Sequence, residues 1–381
     1  MSNNLIVYAY NVRFGEAILV EVPDGDKRRF ILVDAGNWQS GKAGLNKPLI
    51  DALKDIHTRT SGKIDLYVMT HEHMDHVEGL KSAAGKGIKF DIDTVWMTAS
   101  SEPSYYNSPG HRDAREAKEK LQDAVKAFMA LAATPGLATE LKMMYELNAA
   151  KTVDCVDFIR RAGRKAPYYV YRDYNLRNKH PFSDADLRIL APEENTAVYF
   201  KSLYDSLPRF NLGAAEAPST SHKSLPLPLP GVDGGAFYNL IERMDGGFAE
   251  SVYAIDAAGN NTSVVFELTW RGRRLLFTGD AEQKSWEKML EHTTLEPVDF
   301  FKFSHHGSIT GRPPLAALDK ILPQARHGQA LAAVSTFPGI PFDSIPDTKT
   351  LDAIKARTKK VYSTTDVADG KPVIVTMAAV C

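Results

Sequence analysis

The chain has 381 residues, of which 44% are hydrophobic and 24% charged, and its formal net charge is −1. Such a composition supports a sizeable core, and so small a net charge excludes a broad positive field for nucleic acid, although local basic patches stay open. Cys155 and Cys381 are the two cysteines, far apart, so neither a disulfide framework nor a cysteine-based zinc site is expected. Without a visible signal pattern or an apolar run of about 18 residues, we expect a soluble, cytoplasmic protein with no membrane contact.

The first hundred residues predict four strands and a helix. Apolar runs bounded by Gly, Pro and Asp indicate the strands, and the spacing of Leu49, Leu53 and Ile56 indicates one face of a helix. We therefore expect one half of a sandwich in which helices cover two sheets. The predicted strands are Leu5–Tyr10, Ala17–Val22, Phe30–Val33 and Asp91–Met97, and the predicted helix is Pro48–Ile56.

The middle of the chain predicts two insertions in a single domain that spans residues 1–381. Residues 100–180 contain three helical patterns, and residues 204–250 contain the proline-rich stretch Ala217–Gly231, which favours an extended loop. The helical insertion carries a basic run that either contacts phosphate or is a solvated helix end. The predicted helices are Asp113–Ala132, Leu137–Leu147 and Val153–Arg161, and the basic residues are Arg160, Arg161, Arg164 and Lys165.

The C-terminal half predicts the second sheet. Its apolar runs indicate strands, with a tight hairpin at Arg271–Gly272 and one late helix, Thr348–Lys355. The predicted strands are Leu187–Pro192, Val264–Trp270, Arg273–Thr278, Phe300–Phe303, Val334–Thr336, Val361–Ser363 and Pro372–Met377.

A histidine-rich loop follows the apolar strand that begins at Asp65. His71, His73, Asp75 and His76 lie within six residues. In extended chain His71 and His73 point the same way, because side chains alternate along a strand. Two imidazoles for one cation, with a carboxylate and an imidazole for a neighbouring cation, favour a dinuclear metal centre.

This loop resembles the central motif of the metallo-β-lactamase superfamily, and four other segments occur in the order that the superfamily shows. The last three of them most resemble the hydrolase domain of ComEC-type DNA-uptake competence proteins. The resemblance covers residues 5–100 and 185–375 and implies an α/β fold, an αββα sandwich of two mixed sheets flanked by helices. The four segments are Phe30–Gly36, Asn260–Phe266, Leu275–Glu282 and Phe301–Ser308.

The resemblance also implies roles for individual residues. Asp280 matches the aspartate that bridges the two metals, and Asp34 matches an aspartate that supports the histidine loop, although capping a turn is an equally good reading of Asp34. We expect His71, His73, Asp75, His76, Asp280 and His305 to bind metal, and Asp75 and His306 to serve catalysis. His306 would then face substrate or support the ligands, and the reverse assignment of His305 and His306 stays open.

One position departs from the superfamily pattern. Most relatives place a third histidine for the first metal about twenty residues before the bridging aspartate, where this chain has Asn260 and Asn261. Amide oxygens suit harder cations such as Mn²⁺ better than Zn²⁺. The open choices are Asn261, water, or a distant histidine, and the distant candidates are His111, His180 and His222.

These patterns predict a hydrolase that uses two divalent cations, Zn²⁺ first and Mn²⁺ second, to activate water. The expected substrate is a small-molecule or nucleic-acid phosphodiester, which would make the protein nuclease-like. The alternatives are hydrolysis of another ester, a lactone or a thioester, and a metal-binding regulator with vestigial catalysis. The sequence leaves the oligomeric state open.

Overall fold

The computed structural model describes residues 3–38, 46–119, 150–200, 257–337 and 345–380. Contacts divide the chain into two compact units. The first is Met1–Glu102, Leu147–Glu194 and Gly259–Cys381, and the second is Pro103–Glu146 and Asn195–Ala258. In the second unit the Tyr105 hydroxyl accepts a hydrogen bond from the Thr196 amide at 2.8 Å. Within the described ranges, no helix is long and apolar enough to cross a membrane.

The first unit contains two mixed β-sheets. One has seven strands in the order β13-β1-β2-β3-β4-β5-β6, antiparallel from β13 to β3 and parallel from β3 to β6. The other has six strands in the order β12-β11-β10-β9-β8-β7, parallel from β12 to β9 and antiparallel from β9 to β7. The strands are β1 Leu5–Tyr10, β2 Ala17–Asp24, β3 Lys27–Ala35, β4 Lys63–Met69, β5 Asp91–Thr98, β6 Tyr168–Val170, β7 Ala185–Ala191, β8 Val265–Trp270, β9 Arg273–Phe277, β10 Phe300–Lys302, β11 Leu331–Val334, β12 Lys360–Ser363 and β13 Pro372–Met377.

Helices cover the outer face of each sheet. Helices α1, α3 and α4 pack on the seven-stranded sheet, and α5, α6 and α7 pack on the six-stranded sheet. Between the sheets lies a third core, which includes Trp96 and Phe266. The predicted αββα sandwich of two mixed sheets is therefore confirmed. The helices are α1 Lys47–Thr60, α2 Met74–Val77, α3 Gly79–Gly85, α4 Ala150–Arg160, α5 Gln283–His292, α6 Leu315–Ile321 and α7 Thr348–Lys355.

Strand alternation assigns each apolar side chain to one of these cores. In β3, Ile31 and Val33 enter the core between the sheets, whereas Leu32 packs beneath the helices. In β4, Leu66 and Val68 likewise enter the core between the sheets, whereas Tyr67 packs beneath the helices. Because a register shift by one residue would move every such side chain to the other face, the pattern determines the register in which each strand pairs with its neighbours. Each fully buried side chain of this size contributes about 1.5–3 kcal/mol.

The predicted elements match the observed ones closely in the first unit, and β1, α7 and β13 have the predicted bounds. The strand β6 and the helices α2 and α6 were not predicted. The predicted strand Val334–Thr336 is wrong in its bounds, because β11 ends at Val334 and Ser335 leaves the sheet. The predicted helix Leu137–Leu147, most of Asp113–Ala132 and the insertion 204–250 lie outside the described residues, and both insertions stay predictions.

Candidate metal centre

The histidine loop begins where β4 ends, at Met69. His71 and His73 are both buried, and their ring centroids lie 4.6 Å apart, as expected for side chains that point the same way. His73 is the residue that precedes α2, and its extended backbone (φ −75°, ψ 148°) turns the chain into that helix. Asp75 and His76 are therefore the second and third residues of α2, and both are buried.

Four side chains from three separate segments meet in one buried group, which we call the four-donor group. It consists of Asp75, His76, Asp280 and His306, and one ligand atom from each lies within 4.8 Å of the others. His76 Nε2 is 3.2 Å from Asp280 Oδ2. His306 Nε2 is 3.2 Å from Asp75 Oδ2 and 3.3 Å from Asp280 Oδ2. Two imidazole nitrogens and two carboxylates at this spacing can hold a divalent cation.

Hydrogen bonds at Nδ1 set the tautomers of the histidines. His76 Nδ1 donates to Asp34 Oδ2 at 2.8 Å, and His306 Nδ1 donates to the Ser335 carbonyl at 3.0 Å. His71 Nδ1 lies 3.0 Å from the Thr70 hydroxyl, which itself donates to Asp34 at 2.6 Å and so accepts from His71. With the proton on Nδ1, each Nε2 keeps its lone pair for a metal ion.

Asp34 is thus the support of the loop. Its carboxylate accepts from the Thr70 amide at 2.8 Å, from the Thr70 hydroxyl and from His76. Asp34 is fully buried, and burial raises its pKa, while the neighbouring His76 opposes that rise. Asp34 is the penultimate residue of β3, with φ 51°, and its hydrogen bonds to Thr70 and His76 correspond to the support of the histidine loop.

The charges of the four-donor group depend on one another. Burial alone would raise the pKa of Asp280, but the imidazoles of His76 and His306 hold it well below its usual range. Burial alone would lower the pKa of His76, but Asp280, Asp75 and Asp34 hold it well above. The raised pKa of His76 favours its protonated form when no cation is bound, and a bound cation would take the place of the proton on Nε2.

A cation fits the donors that the group leaves open. Asp75 Oδ1 and Asp280 Oδ1 are buried and make no hydrogen bond with any described residue. The same is true of His71 Nε2. Buried polar atoms without hydrogen bonds are costly unless a ligand or ion satisfies them. Mixed nitrogen and oxygen donors suit Zn²⁺ and are compatible with Mn²⁺.

His305 lies apart from the four-donor group. Its Nδ1 is 2.9 Å from Glu282 Oε1 and 2.9 Å from the Ser308 hydroxyl. His305, His306 and Gly307 all have positive φ, of 45°, 53° and 81°, so the two imidazoles diverge and their ring centroids are 6.1 Å apart. The sequence analysis preferred His305 as the ligand, but the geometry brings His306 to Asp75 and Asp280.

Asn260 and Asn261 have contacts of their own. Asn261 Oδ1 accepts from the Ser285 amide at 2.8 Å and from the Glu282 amide at 3.2 Å, and so caps the first turn of α5. Asn260 Nδ2 donates to Glu282 Oε1 at 2.9 Å. The capping contact gives Asn261 a structural role in place of the metal-binding role considered from the sequence.

The distant histidines also have other surroundings. The His180 ring packs 6.0 Å from Phe182, and burial lowers its pKa. The His111 ring stacks on Tyr105 with centroids 3.9 Å apart, within the second unit. His222 lies outside the described residues. None of these contacts supports a metal-binding role for His111 or His180.

Two glycines allow the backbone to pack against the ligands. A Cβ atom at Gly36 would lie 2.2 Å from the Asp75 carbonyl carbon, and one at Gly259 would lie 2.5 Å from His73 Nε2. Any other residue would force these segments apart. Gly36 stands in a segment that the sequence analysis had singled out, whereas nothing in the sequence marks Gly259.

Comparison with known proteins does not decide the function. No protein-family model and no curated protein matches the chain. Among solved structures it is similar to the metallo-beta-lactamase fold protein YhfI from Bacillus subtilis, at 9% identity and a TM-score of 0.38, over 98% of this chain and 99% of that one. So weak a likeness carries no functional argument, and the likeness to ComEC-type proteins stays a prediction.

Proposed function

We propose that the protein is a metal-dependent hydrolase and that the four-donor group is the centre of its active site. The observation that carries the proposal is the burial of four ligand atoms within 4.8 Å of one another, in an arrangement where Nδ1 of His76 and His306 is hydrogen-bonded and Nε2 of each faces the carboxylates. Buried carboxylates and imidazoles gathered in this way are costly unless they serve a site.

The proposed ligands form two sets. Asp75, His76, Asp280 and His306 would hold one divalent cation, and His71 and His73 would contribute ligands to a second, for which Asp280 would be a shared ligand. In this set His306 takes the place of His305, which was the ligand expected from the sequence, because His306 Nε2 faces both carboxylates. Zn²⁺ is the proposed metal, and Mn²⁺ is the alternative.

Bound cations would supply an activated water, with a pKa near 7, and would polarise the bond to be cleaved. The chain's own residues have the other tasks. Asp34 and Ser335 hold the imidazoles of His76 and His306 in place through Nδ1. The buried position of Asp75 and Asp280 keeps bulk water away from the carboxylates, which strengthens their interaction with any cation.

Within this class we propose a phosphodiester as the substrate, since its two non-bridging oxygens can span a pair of cations. The basic run that begins at the last residue of α4 gives little further support, because most of its cations are already paired. The pairs are Arg160 with Asp157, Arg164 with Asp91 and Lys165 with Asp93. Such partly exposed pairs are weak, so phosphate could still compete for these side chains.

The test combines metal content with a substrate panel. The purified protein and its Zn²⁺- and Mn²⁺-reconstituted forms are analysed for bound metal, and each is assayed on bis-p-nitrophenyl phosphate, a lactone and a thioester. Asp280→Asn should lose both metal and activity, whereas Asp299→Asn should keep both. Asp299 is a matched control, because it is also buried and accepts from the Arg274 amide at 3.0 Å, at the other end of β10.

Each outcome decides between the candidates. Hydrolysis of the diester that follows metal content supports the phosphodiesterase proposal. Hydrolysis of only the lactone or thioester retains the metal-dependent hydrolase and refutes the substrate class. Tight metal binding with no hydrolysis of any of the three favours the regulator. Absence of bound metal after reconstitution would refute the proposal altogether.

A further inference from the structure

A buried ion pair lies beside the four-donor group. Lys302 Nζ is 2.7 Å from Glu16 Oε2, and both side chains are only 2% exposed. Lys302 ends β10, in the otherwise apolar run Phe300–Phe303, and Glu16 directly precedes β2. A buried ion pair contributes little net stability, because desolvation of the two charges offsets their attraction. We therefore expect this ion pair to have a role other than stabilising the fold.

Glu16 contacts the segments that carry two of the proposed ligands. Its amide donates to the Asp75 carbonyl at 3.0 Å. Its Oε1 accepts from the Ser335 hydroxyl at 2.7 Å, and the Ser335 carbonyl accepts from His306 Nδ1 at 3.0 Å. Asp75 follows a strand of the seven-stranded sheet, whereas Ser335 and His306 follow strands of the six-stranded sheet. Glu16 thus joins the two halves of the site.

Lys302 contacts the segment that carries His306 and also the segment that carries Asp280. Its ammonium donates to the Phe303 carbonyl at 2.9 Å, which fixes the start of the turn that leads to His306. Its own carbonyl accepts from the Thr278 hydroxyl at 2.9 Å, two residues before Asp280. Glu16 and Lys302 therefore contact every segment that supplies the four-donor group: their side chains contact the segments of Ser335 and His306, and their backbone groups contact the segments of Asp75 and Asp280.

We propose that Glu16 and Lys302 are positioning residues of the metal centre. Lys302 holds the Glu16 carboxylate, Glu16 holds Ser335, and the Ser335 carbonyl holds His306 with its proton on Nδ1 and its Nε2 toward Asp75 and Asp280. The inference rests on the proposed metal centre, but the positioning of His306 can be measured in the metal-free protein as well.

Two double variants separate positioning from stability. Glu16→Leu with Lys302→Met removes both charges and the acceptor for Ser335, and leaves no unpaired buried charge. Glu16→Gln with Lys302→Met removes both charges but keeps an amide oxygen for Ser335. Asp24→Asn is the control, because Asp24 is a buried carboxylate paired with Arg29 at the opposite end of β2.

Affinity for Co²⁺, measured by chelator competition, and the visible spectrum of bound Co²⁺ are the first readouts. We expect the Leu/Met variant to lose about 10- to 100-fold in affinity, the usual effect of removing a support of a ligand, and to change the spectrum. The Gln/Met variant should lose less, and Asp24→Asn should match the wild type. Wild-type affinity and spectrum in a folded Leu/Met variant would overturn the inference, as would an equal loss in Asp24→Asn.

The second readout is the ¹⁵N signal of the His306 imidazole in metal-free protein, assigned with His306→Ala. We expect the Nδ1-protonated form in the wild type and the Gln/Met variant, and its loss in the Leu/Met variant. If the wild type binds no Co²⁺, the proposed function fails and this readout alone decides the inference. Identical imidazole signals in the two double variants would refute it. If the Leu/Met variant does not fold, Ser335→Ala removes the same hydrogen bond and takes its place in both measurements; if the Gln/Met variant does not fold, the wild type is the reference for the comparison.

Discussion

Asp34→Asn tests whether the hydrogen bond to His76 supports metal binding. The carboxylate accepts three hydrogen bonds, from the Thr70 amide, the Thr70 hydroxyl and His76 Nδ1. An asparagine of the same size can still accept from the Thr70 amide, but its NH₂ group then faces two donors. The simplest relief moves the His76 proton from Nδ1 to Nε2, and a protonated Nε2 cannot bind metal.

The size of the effect follows from the hydrogen bond that is lost. A hydrogen bond to a charged group contributes about 1.5–3 kcal/mol, which corresponds to roughly 10- to 150-fold in a dissociation constant. Unfolding free energy should change less than metal affinity, because burial already raises the pKa of Asp34 and a neutral amide removes that cost of desolvation.

The assay is chelator competition for Zn²⁺ at neutral pH, with urea unfolding of the metal-free protein in parallel. Asp299→Asn is the matched control, since the Asp299 carboxylate accepts hydrogen bonds from the Arg274 amide and, at 3.2 Å, from the Arg273 guanidinium. Zn²⁺ affinity in Asp34→Asn within a factor of two of the wild type would refute the reasoning. So would a loss of affinity that the control shares.

Three further predictions concern the four-donor group. Asp280→Asn should lower bound metal per chain after reconstitution far more than Asp299→Asn, and equal metal content would place the carboxylate outside the centre. His306→Ala should release metal whereas His305→Ala should retain it, since His306 Nε2 faces both carboxylates; the reverse result would restore His305 as the ligand. Metal-free protein should be most stable to urea between an upper and a lower pH limit. The folded pKa of His76 is raised, so its contribution to stability is complete below the unfolded pKa of 6.5 and is lost as pH rises through the folded pKa. The folded pKa of Asp280 is lowered, so its contribution to stability is complete above the unfolded pKa of 3.8 and is lost as pH falls through the folded pKa. A flat urea midpoint across both limits would contradict those shifts.

The arrangement of the histidine loop could be predicted from the sequence because it depends on residues that are adjacent in the chain. A strand of known direction ends at Met69, so the side chains that follow it have a fixed alternation, and His71 and His73 do lie together. The sandwich was readable for the same reason, since apolar alternation in Ile31–Val33 and its neighbours determines which face is buried. Asp280 was predicted from the resemblance of the segment Leu275–Glu282 to the superfamily motif that carries the bridging aspartate.

The sequence could not predict which of His305 and His306 faces the carboxylates. That choice depends on two consecutive left-handed residues, a backbone conformation that stays uncommon even for histidine, which adopts it more often than most residues. The roles of Glu16, Lys302 and Ser335 depend on contacts between residues up to 319 positions apart. A charged Lys302 within an apolar strand was the one available signal, because lysine is rarely buried without a partner.

The two proposed ligand sets are unequal, and this predicts an order of metal binding. The described residues contain one group of three or more histidine, cysteine or carboxylate ligand atoms within 4.8 Å, and it does not include His71 or His73. The four-donor group should therefore fill first, and the site at His71 and His73 second and more weakly, because fewer protein ligands offset the dehydration of the cation. Titration with Co²⁺ should show two phases, and His306→Ala should abolish the tighter one, whereas His73→Ala should abolish only the weaker one. A single phase with two equivalents, or loss of the tight phase in His73→Ala, would show that the two cations bind as a unit and that the asymmetry of the donors does not control the order.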